Sequence, residues 1–320
     1  MKTKASGSQK TKKTKQEAIT WKKSLKRYWQ LYLLLIPVVA NYVLFHYIPM
    51  YGIQIGFKDF KLNEGIWGSA WVGFTHFERF FSAYNFWQIL GNTLWLSMLS
   101  LIFSFPLSIC LALVLNEIKN KKLNSTLQTV FFVPHFVSTV VVVGMMQAFL
   151  APNTGVVNVI LERLGLIDKH IFFITEPKWF RPLYIISGIW QNMGWSAAIY
   201  ISALSAIDTE LYDAASVDGA NKWQQLVRIT IPSIMPTIII QLILKLGHIM
   251  SVGYEKTLLM QETTNKNVSE IISTYVYARG FKAGAYDYGT AVGLFNSVIN
   301  LIMLLAVNWI AKKKSDVSLF

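Results

Sequence analysis

Apolar runs long enough to cross a bilayer recur along this chain, and they constrain its fold more than any other feature. A membrane-spanning helix needs about 20 mainly apolar residues. The first run, LYLLLIPVVANYVLFHYIPMYGI, occupies Leu31–Ile53, and others lie near 89–115, 127–150, 183–206, 234–252 and 288–311. The pattern predicts an all-α polytopic membrane protein with six transmembrane helices. The first run exceeds the roughly 7–15-residue apolar core of a secretory signal, and no small-residue cleavage site follows it, so it reads as a retained span.

Composition agrees with this. Hydrophobic residues make up 53% of the 320 and charged residues 15%, against roughly 25% charged in soluble domains. The net charge of +13 does not point to nucleic acid, because ten of the thirty Lys and Arg fall within residues 1–27. That Lys/Thr/Ser-rich tail has one acid and little apolar surface to bury; it reads as a disordered cytosolic flank. Basic residues also follow the second run, at Lys119, Lys121 and Lys122, and the sixth, at Lys312–Lys314. With six spans, all three sets share one side, which places both termini in the cytosol. The expected organisation is the basic tail at 1–27, a six-span domain at 28–315 and a cytosolic C-terminal tail at 316–320. Loops near 54–88, 151–182 and 253–287 then face outward, each too short to form a separate domain.

Several activities lack their chemical groups. The sequence contains no G-x-x-x-x-G-K-[ST] phosphate loop, no H-E-x-x-H and no G-x-S-x-G. The single cysteine, Cys110, lies in an apolar run, so an intrachain disulfide and a cysteine-based metal cluster are both excluded. His46, His76, His135, His170 and His248 are scattered, and for all but His248 the plain reading is a hydrogen-bonded loop or interfacial residue.

One polar segment stands between two apolar runs: DAASVDGANKWQQLVRITIP, Asp213–Pro232. It reads as two short helices. Asp208 or Thr209 caps the first, Glu210 sits in its first turn where an acid suits the helix dipole, and Gly219 ends it. A second helix from about Lys222 places Trp223, Leu226, Val227 and Thr230 on one face until Pro232 interrupts it. Small residues and an exposed apolar edge beside acids describe a docking element; a loop lying on the membrane is the alternative.

The order D-A-A, three residues, Gly, nine residues, I-x-I-P resembles the E-A-A-x3-G-x9-I-x-L-P signature of permease subunits of binding-protein-dependent bacterial ABC importers. Asp213, Ala214, Ala215, Gly219, Ile229, Ile231 and Pro232 occupy its positions, with Asp213 in place of Glu and Ile231 in place of Leu. The flanking IWQNMGWSAAIYISALSAIDTELYDAASVDGA is similar to the maltose-type sugar permeases. STYVYARGF and YGTAVGLFNSVINLIMLLAVNWIAKK look closer to LplB-like permeases for complex polysaccharides of Gram-positive bacteria. The likeness covers about 25–315. It implies a type I ABC importer permease fold and a subunit that does no chemistry itself and binds no cofactor, with ATP and Mg on a partner ATPase. It further implies that 207–232 is the coupling hairpin, with Asp213, Ala214, Ala215, Asp218, Gly219, Ile229 and Pro232 engaging the cytosolic ATPase dimer. The implied partners are a second related permease, an extracellular substrate-binding lipoprotein, an oligosaccharide and membrane lipid, in a bacterial cytoplasmic membrane.

Within the spans, ionisable groups are costly and usually face a cavity or a partner. Gln241, Lys245 and His248 share one helical stripe and are read as candidates for a substrate pathway suited to acidic sugars; pairing of Lys245 with a partner's acid, or snorkelling, is the alternative. Trp190, Asn192 and Trp195, with Gln191, combine aromatic faces with amides and suit a glycan, while interfacial anchoring explains the tryptophans equally well. Tyr254, beside Glu255, joins the pathway candidates. Gly289 and Gly293 allow close helix packing, within the chain or against a partner. An ion-coupled secondary sugar carrier acting without an ATPase is the competing function, and it lacks a clear mid-span carboxylate.

Overall fold

The computed structural model describes residues 26–315 and 317–319. The expected disorder of the basic tail therefore concerns a segment that lies, for residues 1–25, outside the described residues.

Contacts divide the chain after Ile53. The N-terminal unit holds α1 (Trp29–Tyr42), which runs on through a π-turn at Val43–Tyr47 and a further turn at Ile48–Met50. Its side chains are largely apolar, and Leu31, Leu34 and Phe45 are 63%, 71% and 68% accessible. A helix of this kind is made for lipid or for another apolar surface.

The second unit begins with a small antiparallel hairpin, β1 (Lys58–Asp59) and β2 (Ala70–Trp71), with Lys58 opposite Trp71. Then come α2 (Thr75–Phe81), the 32-residue α3 (Phe86–Glu117), and α4 (Lys121–Phe132), whose first turn is capped by Asn120. After α5 (Thr139–Phe149) and α6 (Val156–Arg163) comes the 29-residue α7 (Pro177–Ser205). Further along come α8 (Glu210–Val217), α9 (Lys222–Gln225), α10 (Ile231–Gly247), α11 (Tyr254–Met260), α12 (Ile272–Val276) and α13 (Tyr286–Ser315), with single helical turns at Gly65–Gly68 and Lys266–Ser269.

Among the described residues, four helical stretches are long and apolar enough to cross a membrane: Trp29–Phe57, Phe86–Glu117, Lys222–Gly247 and Tyr286–Ser315. The expected third span is not straight. Lys121–Phe136 and Thr139–Phe149 meet at 95°, giving a fifth span only if the bent pair counts as one. The bend has a local cause: Val133–Phe136 tightens to a 3-10 turn around Pro134, Val137 is extended, and Ser138 Oγ starts a new helix by accepting the Val141 N–H at 3.4 Å. The expected fourth span is α7, a continuous helix that carries Lys178, Arg181, Gln191 and Asn192 and is less apolar than the other four.

Two further expectations need correction. Pro232 does not interrupt its helix; Lys222–Gly247 is continuous, because the π-turn at Leu226–Thr230 widens the helix just where the proline offers no N–H. The fifth span, expected to reach Val252, stops at Gly247. Asn300 on α13 takes over the freed backbone, its Oδ1 accepting the Met250 N–H at 2.9 Å and its Nδ2 donating to Ser251 Oγ at 2.9 Å, while Ser97 Oγ donates to the Ile249 carbonyl.

The core runs the length of this unit. One cluster gathers Phe80, Ile89, Met250, Ile272 and Val292; a second gathers Leu96, Phe180, Tyr184 and Ile271; a third joins Ala112 and Ala197 with Tyr200, Leu204 and Ile234. Small residues allow the helices to touch, as membrane packing requires. A Cβ on Gly194 would stand 2.0 Å from the Phe131 carbonyl oxygen, and one on Gly289 would stand 2.7 Å from Gly280 Cα. The Gly289 contact is thus within the chain, and Gly293 has open space. The segment 261–272 is stapled over the end of α3 by Asn92, whose Nδ2 donates to the Asn267 and Glu270 carbonyls at 2.9 and 3.1 Å and whose Oδ1 accepts from Arg181 at 3.0 Å.

Candidate functional site

The break after α10 leaves backbone out of helix, which membrane proteins tolerate where it is buried in protein or lines a cavity. Here it lines one. A cavity of about 870 Å³ is bounded by α3, the α4–α5 bend, α7 and the segment 248–256. From α3 come Ser97, Ser100, Ser104 and Ser108, whose spacing of three, four and four residues sets them on one helical face. This polar stripe was readable from the sequence, yet serine is common enough in membrane helices that it drew no attention.

The bend and α7 form the second wall. Gln191 Nε2 donates to the Val137 carbonyl at 2.8 Å, holding the unwound residues in place. Asn192 Nδ2 donates to the Gly188 carbonyl at 3.1 Å, so its Oδ1 must accept from His135 Nδ1 at 3.1 Å. His135 Nδ1 is therefore the donor in this bond. Its ring stacks on Trp195 with centroids 4.4 Å apart and planes 14° apart. The plain reading of His135 from sequence missed this position, because its partner lies 57 residues away.

The third wall supplies the charge. Lys245 and His248 are exposed on the cavity, and among the described residues Lys245 makes no ion pair. Tyr254 also lines it, its ring packed edge-on against Tyr277 at 5.4 Å. Lys256 adds a cation that sequence reasoning passed over as a loop residue; it is 7% accessible, and burial pushes its ammonium down to about 8. Of the seven pathway candidates, the structure brings Lys245, His248, Asn192 and Tyr254 to one cavity. Trp195 stands behind His135, while Gln241 and Trp190 do not line the cavity. The chamber sets serine hydroxyls, amides, Lys245, Lys256, His248 and Glu255 among apolar residues such as Phe105 and Phe136.

The hairpin lies at the far end of α7. Asp208 Oδ1 accepts the Glu210 N–H at 3.0 Å, so the aspartate caps α8 although Thr209 occupies the cap position. Gly219 has φ +79°, and the Ala220 N–H reaches back to the Ala215 carbonyl at 2.9 Å, a glycine-ended helix terminus. Asn221 and Gln224 then bond reciprocally at 2.9 and 2.8 Å to start α9. Asp213, Ala214, Asp218 and Gly219 are exposed on this hairpin, as are Val217 and Trp223 at 88% and 70%. Ile229 is half-buried, and Pro232, exposed, lies three residues further along the same helix. Inside the hairpin, Gln225 Nε2 donates to Ser216 Oγ at 2.9 Å.

The family described as binding-protein-dependent transport system inner membrane component matches residues 104–316. Protein LplB of Bacillus subtilis is 42% identical over 304 residues, covering 95% of both chains. The polygalacturonan/rhamnogalacturonan transport system permease protein YteP of the same organism is 40% identical over 309 residues, covering 97% of this chain and 95% of its own. Among solved structures, a chain of a bacterial ABC transporter involved in the import of the acidic polysaccharide alginate superposes with a TM-score of 0.84 at 41% identity, over 92% of this chain and 98% of its own. A second, of the alginate ABC transporter in complex with alginate pentasaccharide-bound periplasmic protein, gives 0.85 at 40% identity over 94% and 99%. With the helical fold, the hairpin and the cavity, these likenesses establish that the chain belongs to the family of inner membrane components of binding-protein-dependent transport systems.

Proposed function

We propose that this chain is the membrane permease subunit of an ATP-driven importer that carries oligosaccharides of an acidic polysaccharide, uronate-containing, inward across the cytoplasmic membrane of a Gram-positive bacterium. The observation that carries the sugar class is the chamber itself: serine hydroxyls, amides and imidazole, with two lysines, Lys245 and Lys256, against one carboxylate, Glu255, and no ion pair between them among the described residues. Relatives whose names give polygalacturonan, rhamnogalacturonan or alginate as cargo support it. Family membership sets aside the ion-coupled carrier.

In this reading both termini and the hairpin 207–232 are cytosolic, and the hairpin seats in a separate ATPase dimer that holds ATP and Mg. A second permease completes the pathway, and an extracellular lipoprotein delivers the sugar. ATP-driven closure of the ATPase moves the hairpin and α10 together, since the two are continuous through the π-turn. The permease works by contacting its cargo differently in two conformations. The test is uptake of labelled oligogalacturonides and neutral maltodextrins by cells carrying the permease with its partners. Uptake of the acidic sugar, abolished by Gly219→Pro with the permease still in the membrane, supports the reading; uptake restricted to the neutral sugar, or indifferent to Gly219→Pro, sinks it.

A further inference from the structure

Lys256 is one of two buried lysines among the described residues, and the one that lines the cavity. It lies in α11, outside the long apolar stretches, and is 7% accessible. Its Nζ donates to the Tyr184 carbonyl at 2.8 Å and sits 4.7 Å from the centre of the Tyr184 ring. The Tyr184 hydroxyl packs against Gly253, where a Cβ would stand 2.9 Å from it, so the start of α11 lies close against α7 beside the lysine. The ammonium rests over Gly188, where a Cβ would stand 3.3 Å from Nζ. Among the described residues no carboxylate pairs with it.

A buried ammonium carries a solvation penalty of several kcal/mol, usually offset by an acid. One carbonyl and one aromatic face offset it in part, and two of its three N–H groups are left for something else. Lys256 lines the same cavity as Lys245 and His248, with Asn192 on the neighbouring turn of α7. The Lys256 ammonium is fixed by the Tyr184 carbonyl and ring, so it is pre-placed and loses little freedom on meeting a ligand.

We propose that Lys256 is the fixed carboxylate-reading residue of the pathway: its ammonium, seated on Gly188, binds a uronate carboxylate of the passing oligosaccharide and sets the preference for acidic over neutral sugar. This rests on the acidic-oligosaccharide reading above. A charge-assisted hydrogen bond gained only by the acid is worth about tenfold or more in preference.

The experiment reconstitutes the complete transporter, with its second permease, ATPase and binding protein, in liposomes and compares ATP-dependent uptake of galacturonate trimer with that of the galactose trimer, which replaces each carboxylate by a neutral hydroxymethyl group. The same binding protein delivers both sugars to every variant, so its own selectivity cancels when variants are compared with wild type. Lys256→Gln should cut the acid-to-neutral ratio by about tenfold or more, and Gly188→Ala, which keeps the lysine but crowds its seat, should cut it by a smaller factor. An unchanged ratio in an assembled Lys256→Gln complex overturns the proposal; if that complex does not assemble, an unchanged ratio in Gly188→Ala does so. Wild-type transport of the neutral trimer alone overturns this proposal and the acidic-sugar reading together, whereas acid preference that survives in the variants overturns only the role of Lys256.

Discussion

The Tyr212 hydroxyl lies 2.9 Å from Thr230 Oγ1, tying the first helix of the hairpin to the π-turn that leads into α10. With the Gln225–Ser216 bond beside it, this makes the hairpin and the long helix one lever. Tyr212→Phe should cost about 1 kcal/mol of hairpin stability and let the two parts move separately. The expected outcome in liposomes is ATP hydrolysis near the wild-type rate with fewer sugars carried per ATP. A wild-type ratio would show that the lever does not depend on this bond.

Gly219 sits at φ +79° with open space around its missing side chain, so a substitution there is strained by the backbone alone. Gly219→Ala should cost about 1–2 kcal/mol, and Gly219→Asn less, because Asn visits this region more readily. Uptake per permease in the membrane should therefore rank glycine, asparagine, alanine. A different order would point to side-chain contacts with the ATPase.

Gly194 serves packing. Its Cβ would stand 2.0 Å from the Phe131 carbonyl, whereas Gly293 has open space. Gly194→Ala must push α4 from α7, an overpacking cost of about 1–3 kcal/mol; Gly293→Ala should be nearly neutral. Thermal unfolding in detergent, followed by the loss of monodisperse protein, separates the two.

Much of this architecture was legible in the sequence because bilayer physics leaves few choices. Apolar length located α3 and α13 within a few residues of their ends, and the Gly219 terminus followed from small and polar residues in the right order. The breaks were less legible. Nothing local to Gly247 says that Asn300, fifty residues on, will take the backbone that the helix releases, and Pro232 reads as a stop until the π-turn before it is seen. The pathway was legible only in part for the same reason. Lys245 and His248 stood out as charge in an apolar run, while His135 and Lys256 acquire meaning from Asn192 and Gly188 across the cavity.

Asn300 offers a test of the break itself. Asn300→Leu should leave the Met250 N–H without its acceptor, at about 1–3 kcal/mol, in a segment that lines the cavity. Reduced thermal stability together with weakened uptake of every sugar is expected, because the wall is displaced without removal of a charge. A loss confined to acidic sugars would instead place Asn300 among the groups that read the cargo.

The pH dependence of selectivity follows from Lys256. Burial holds its ammonium down at about 8, so the charged form is present below that pH and lost above it. Lys245, His248, His135, Glu255, Tyr254 and Tyr184 also line the cavity, and the Lys256→Gln variant separates their titration from that of Lys256. At limiting sugar, the ratio of galacturonate-trimer to galactose-trimer uptake should therefore fall as external pH rises through about 8. Lys256→Gln should show a low ratio that does not change across this interval. Lys256→Arg keeps its charge throughout and should flatten the profile at a higher level. A wild-type profile retained in Lys256→Gln would assign the titration to another group, and the neutral trimer, measured in the same vesicles, removes any common effect of pH on the ATPase or on delivery.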